Sequence, residues 1–146
     1  MENLTSGDLL VRLINLNTHI QKRLSGPLSC HGISMVEYFV LKQLNQAPDK
    51  KMRRIDLANE VGLSASGVTR LLAPMEKTGL VTKEEAQRDA RVSLVALTSS
   101  GERICDEARV SFEQTAGAIL GALTASEQVS LHKIATKLLS FRHLDD

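Results

Sequence analysis

Ala58 stands four residues before Gly62, and Val68 six residues after it, the arrangement that a helix-turn-helix needs. A small Ala lets two helices approach, Gly supplies the positive φ of the turn, and Val packs the second helix back on the first. On that second helix the 3.6-residue period puts Val68, Leu71, Leu72 and Met75 on one face and Ser66, Thr69, Arg70 and Ala73 on the other. The second face is short and polar, and suits a major groove. Ser64, Ser66 and Thr69 can bond phosphates or base edges, and Arg70 can make a bidentate contact with guanine. Gly67 removes bulk near the helix start, which serves either close approach to DNA or tight packing within the turn. An αα corner in an ordinary helical protein shares the same Ala and Gly spacing; the hairpin that follows weighs against it.

The elements that must hold these groups are readable along the chain. Leu9, Leu13, Leu16, Ile20 and Leu24 recur every three or four residues, predicting an amphipathic helix from Asp8 to about Leu24 that Gly26 and Pro27 stop. Ser34 and Glu37 form a capping box for a second helix, whose expected buried stripe is Val36, Phe39, Val40 and Leu44, ended by Pro48. A third helix follows at about Arg54 to Val61, with Gly62 as its left-handed stop, and Ser64 opens a fourth running to about Thr78. Pro74 falls inside that helix, where it cannot donate to the Arg70 carbonyl, so a kink or loosened turn is expected. Leu80 to Glu85 and Val92 to Leu97 then read as two strands joined through the polar stretch Ala86 to Arg91. Thr98 can cap a long helix through about Leu123. Thr124 and Glu127 open a last one with the stripe Leu131, Ile134, Ala135, Leu138 and Leu139.

Composition bounds the rest. The chain has 146 residues, 42% hydrophobic and 3% aromatic, so one domain with an aliphatic core, which favours helices, is expected. The formal charge is +1, yet nine basic and six acidic residues between Lys50 and Arg91 give that window +3, a weak sign of polyanion binding. Glu2 and Asp8 precede any basic residue, no apolar run is long enough to span a bilayer, and Cys30 and Cys105 form no paired CxxC. A cytoplasmic protein with reduced thiols and no membrane association is expected. No nucleophile elbow, Walker loop or dinucleotide fingerprint is present, so no enzyme is expected.

Ala58 to Gly62, SASGVTRLLAPMEKTGLV from Ser64 to Val81, and RDARVSLVALTSSG from Arg88 to Gly101 together resemble the MarR family of bacterial transcriptional regulators. The most specific element is Asp89-Ala90-Arg91 followed by Leu97-Thr98 and Gly101, the wing pattern of that family. The resemblance implies a mainly α fold with a small β-hairpin wing, a winged helix-turn-helix with N- and C-terminal dimerisation helices. It implies a single domain over 1–146, with dimerisation helices in 1–31 and 102–146 and the DNA-binding lobe in 32–101. Asp89 then resembles a residue that orients the wing, and Arg91 one that reaches the minor groove, where negative potential favours a guanidinium. Lys83 and Arg88 suit phosphate contacts. Taken alone, Arg88, Asp89 and Arg91 also read as a surface ion pair stabilising a turn. A homodimer would set two recognition helices about one DNA turn apart on a pseudopalindrome.

The same resemblance implies a repressor released by a small aromatic or phenolic effector, held in a crevice between the dimerisation helices and the DNA-binding lobe. His19, Cys30, His31 and Tyr38, on or near the first two helices, are the candidates to line it, with packing or surface roles as the ordinary alternative. Cys30, after a Gly26 to Ser29 turn and beside His31, offers a thiol switch, although oxidant-sensing members place their cysteine nearer the N-terminus. Cys105 reads as a small hydrophobe. A regulatory metal site from Cys30, His31 and Glu37 with His132 or His143 is a further alternative; no pair of histidines on one helix face supports it, and neither metal nor cofactor is expected. The last alternative is a winged helix that serves as a protein-interaction module without binding DNA.

Overall fold

The computed structural model describes residues 3–86 and 88–140, with Asp89 and Ala90 described by backbone alone. The chain divides into two compact units, Met1–Phe112 and Glu113–Asp146. The first holds α1 (Ser6–Ser29), α2 (Met35–Gln46), a tight turn at Pro48–Lys50, β1 (Lys51–Arg53), α3 (Arg54–Val61), α4 (Ala65–Lys77), β2 (Val81–Ala86), β3 (Asp89–Leu97) and the start of α5 (Ser99–Leu120). The end of α5 and α6 (Ala125–Ser140) belong to the second.

Capping chemistry sets most of the helix starts. Thr5 with Asp8, Ser34 with Glu37, and Thr124 with Glu127 each exchange the two hydrogen bonds of a capping box, satisfying backbone donors that have no partner within the helix. α1 runs past the expected stop. Leu24 and Leu28, one turn apart, are both buried, and the Ser29 hydroxyl donates to the Gly26 carbonyl at 2.8 Å. Burying two leucines, at about 1.5–3 kcal/mol each, offsets the single backbone bond that Pro27 removes. Cys30 is therefore the C-cap of α1 and does not follow a turn, and Gly32, with φ 76°, is the left-handed residue that redirects the chain.

The buried stripe of α2 is rotated from the expected one. Tyr38, Val40, Leu41 and Leu44 are buried, Val36 is half-buried and Phe39 is exposed. The reason is aromatic: Tyr38 stacks on Phe112 with ring centroids 4.9 Å apart, leaving Phe39 edge-on at the margin. Leu57 and Ala58 of α3, Val68, Leu72 and Met75 of α4, Val81 and Val95 complete this core.

The sheet has three antiparallel strands in the order β1-β3-β2. β1 escaped the sequence reading, since three residues between helices carry no alternation to read; β3 orders it, pairing Lys51 with Ala96. An ion pair of 2.8 Å between Lys51 and Glu84 links the two outer strands. The hairpin strands extend into the stretch expected to be loop, so that Ala86 pairs with Asp89 after a register shift. Arg88 thus occupies the turn and Arg91 lies along β3.

Candidate nucleic-acid interface

The turn before α4 is built as its residue types require. Gly62 caps α3 at φ 72°, where its N–H and that of Leu63 both reach the Ala58 carbonyl. Ser64 caps α4, its hydroxyl accepting from Gly67 N at 3.1 Å and lying 3.2 Å from Ser66 Oγ. A Cβ at Gly67 would stand 3.2 Å from that hydroxyl and 3.6 Å from Leu63 Cβ, so an alanine there would press on the capping serine. α4 then buries Val68, Leu72 and Met75, with Leu71 half-buried, and presents Ser66, Thr69, Arg70 and Ala73 to solvent.

Thr69 is not idle on that outer face. Its hydroxyl donates to the Ala65 carbonyl at 3.1 Å and accepts from Arg54 Nη2 at 3.3 Å. The other guanidinium nitrogen, Nη1, meets Glu76 Oε1 at 3.4 Å. Sequence reasoning did not pair Arg54 with Glu76, since the two stand 22 residues apart on different helices and no local pattern links them. No break is seen in α4 at Pro74, which is exposed. The chain stays helical through the proline as far as Lys77.

The hairpin follows directly. Lys83 on β2, Arg88 in the turn and Arg91 on β3 are all exposed, while the side chain of Asp89 lies outside the described residues. The base of the hairpin is knotted to α5. Thr98 Oγ1 lies 2.6 Å from the Gly79 carbonyl and 3.0 Å from that of Leu80, and it accepts from Gly101 N at 3.0 Å. Lys50, at φ 56° beside β1, bonds Glu102 at 2.9 Å and Asn45 at 2.8 Å, tying the sheet's entry to α5 and α2. At the other end of β1, Arg53 makes a bidentate pair with Asp56, which holds that carboxyl below its ordinary range.

The candidate effector residues are dispersed. His19 and Cys30 are exposed, His31 is hydrogen bonded with Ser111 Oγ at 2.7 Å, and Tyr38 is buried in the aromatic cluster. An open cavity of about 830 Å³ lies near them between α1 and the start of α2, lined by Lys22, Ser25, Ser29, Ser34, Met35 and Glu37 among others. None of the four named residues lines it. Cys105 is buried, and burial together with the neighbouring Asp106 carboxylate pushes its thiol up. Among the described residues no group of three His, Cys, Asp or Glu is placed to hold a metal ion; His143 lies outside them. No described helix is long and apolar enough to cross a membrane.

Residues 33–93 match the MarR family. The chain is 30% identical over 139 residues to the HTH-type transcriptional regulator PrsX of Escherichia coli, covering 94% of this chain and 82% of that relative. Its structure is similar to Sco3205, a MarR family transcriptional regulator from Streptomyces coelicolor solved in complex with DNA, with a TM-score of 0.85, 25% identity, and 97% and 90% of the two chains covered. It is also similar in fold to a mutant MarR from Escherichia coli complexed with operator DNA, with a TM-score of 0.83, 24% identity, and 95% and 99% covered.

Proposed function

Given that the chain belongs to the MarR family of transcriptional regulators, we propose that it represses by binding a pseudopalindromic DNA site as a homodimer and lets go on binding a small effector. As a regulator of this family it is not an enzyme. The observation that carries the DNA reading is the outer face of α4, where Ser66, Thr69 and Arg70 stand exposed because Val68, Leu72 and Met75 are buried beneath them. The exposed cations Lys83, Arg88 and Arg91 on the adjoining hairpin add the sequence-independent attraction of a phosphate backbone. DNA-bound relatives of the same fold support the same reading. For the effector, the support is the cavity beside α1, whose Lys22 suits an aromatic or phenolic anion. A cytoplasmic location follows from a chromosomal partner.

The test is fluorescence anisotropy on duplex from upstream of the protein's own gene and on scrambled duplex, at two salt concentrations. Specific binding that weakens as salt rises is expected. Arg70→Ala should lower specific affinity by about 1–3 kcal/mol and relax base preference, whereas Lys83→Ala should weaken binding to every sequence and flatten the salt slope. Equal, sequence-independent losses for both would overturn this division between base reading and phosphate contact. Addition of a phenolic acid such as salicylate should release the specific complex.

A further inference from the structure

Arg54 is the first residue of α3, and its side chain reaches across to the helix whose outer face carries Thr69 and Arg70. Its two terminal nitrogens bond Thr69 Oγ1 and Glu76 Oε1. The side chains of Arg54 and Glu76 are 21% and 35% exposed, so the pair is partly shielded and holds better than an ion pair in open water. Thr69 and Glu76 are about two helical turns apart and so share one stripe of α4. Between them stands Pro74. Proline has no N–H for the carbonyl four residues back, here that of Arg70, so α4 lacks a backbone bond in its second half. The guanidinium grips α4 on both sides of that gap, and α4 continues without a break to Lys77.

The same grip sets the polarity of Thr69. A hydroxyl has one proton and two lone pairs. The proton goes to the Ala65 carbonyl, and one lone pair takes Arg54 Nη2. One acceptor is left for the groove. It complements the exocyclic amine of adenine or cytosine, and opposes guanine O6 and thymine O4, which are themselves acceptors.

We propose that Arg54 is a positioning residue for DNA recognition, splinting α4 across Pro74 and holding Thr69 as a hydrogen-bond acceptor that selects an amine-bearing base in each half-site. This rests on α4 being the DNA-reading helix. Arg54→Met keeps the length of the side chain and removes its donors. Wild type, Arg54→Met, Pro74→Ala, Thr69→Val and the double variants would each select sites from a pool of randomised duplexes. Their affinities would then be measured on the wild-type site.

Arg54→Met should weaken binding by about tenfold, the scale of a hydrogen bond to a charged group, and erase the preference for adenine or cytosine at one position per half-site. Adding Pro74→Ala restores the missing backbone bond, so the double variant should recover to within about threefold of wild type, while the base preference stays lost. Thr69→Val on top of Arg54→Met should change that preference no further. Without DNA, amide exchange in α4 should quicken in Arg54→Met and return toward wild type in the double variant. Unchanged affinity and preference in Arg54→Met, or an equal gain from Pro74→Ala with and without Arg54, would overturn the proposal while leaving DNA binding intact. A wild-type protein that enriches no sequence would instead refute the DNA reading and the acceptor role with it; amide exchange would still decide the splint.

Discussion

A methyl group at Gly101 would sit 2.1 Å from the Leu80 carbonyl oxygen and 2.7 Å from Leu97 Cδ1. That carbonyl cannot simply withdraw, because it accepts from Thr98 N at 3.2 Å and lies 3.0 Å from Thr98 Oγ1. Gly101→Ala therefore forces the first turn of α5 away from the root of the hairpin. We expect a loss of about 3 kcal/mol, the upper end for overpacking a tight site, measured by urea unfolding. The control is a helical glycine with open space around it. A helical glycine followed by proline would not serve, since its new Cβ would meet the proline ring. Gly117 lies inside α5 with nothing within 4 Å of where its Cβ would be, and Gly117→Ala should stabilise by about 0.5–1 kcal/mol through helix propensity alone. Losses of similar size at both positions would remove the steric explanation. The importance of Gly101 was visible in the sequence as part of the wing pattern; its cause was not, since Leu80 lies a whole hairpin earlier in the chain.

The helices differ in how much of each was written locally. The capping boxes of Ser34 and Thr124, the left-handed Gly62 and the bounds of α3 and α4 were legible because each is specified within a few consecutive residues; the box of Thr5 with Asp8 was equally local and went unread. Pro27 misled, because the burial of Leu24 and Leu28 that overrides it comes from outside the local turn; the bonds of Arg54 to either side of Pro74 are also beyond local reading. Likewise the rotation of α2 follows from Tyr38 meeting Phe112 across the fold, and the role of Thr69 from a residue on another helix. Caps also make the helix ends sensitive to acid. Hydrogen bonds to Thr5 and Thr124 hold the carboxyls of Asp8 and Glu127 below their ordinary values. A carboxyl depressed in the folded state contributes stability above its unfolded pKa, and that contribution is lost as the pH falls through the folded value. The first turn of α6 should therefore be protected at neutral pH and fray below the ordinary glutamate range. Amide chemical shifts of Thr124 and Glu127 followed through an acid titration would report it. In Glu127→Gln that transition should vanish; its persistence would assign the fraying to another group.

At the scale of the molecule, each unit leaves apolar side chains in water. On α1 they include Leu9, Leu10, Leu13, Ile14 and Leu16, and on α6 Leu131, Ile134, Leu138 and Leu139. Soluble monomers rarely carry contiguous apolar stripes of this kind without a partner, and the stripes lie on the elements expected to pair between two copies. Ile134 and Leu138 are 58% and 57% exposed within one chain, so a carboxylate at either position costs a solitary chain little. Across an interface the same carboxylate is buried without a partner, which costs several kcal/mol. The chain mass is 16.0 kDa, and sedimentation equilibrium should find the wild type at twice that and Ile134→Glu with Leu138→Glu at the single-chain value, with helical content unchanged by circular dichroism. A separated chain can engage only one half-site and loses the effective concentration that its partner supplies, so its affinity for the full site should fall by about 100-fold or more. A wild type that sediments as one chain would refute the dimer. A dissociated variant that still binds the full site tightly would place specificity within a single winged helix.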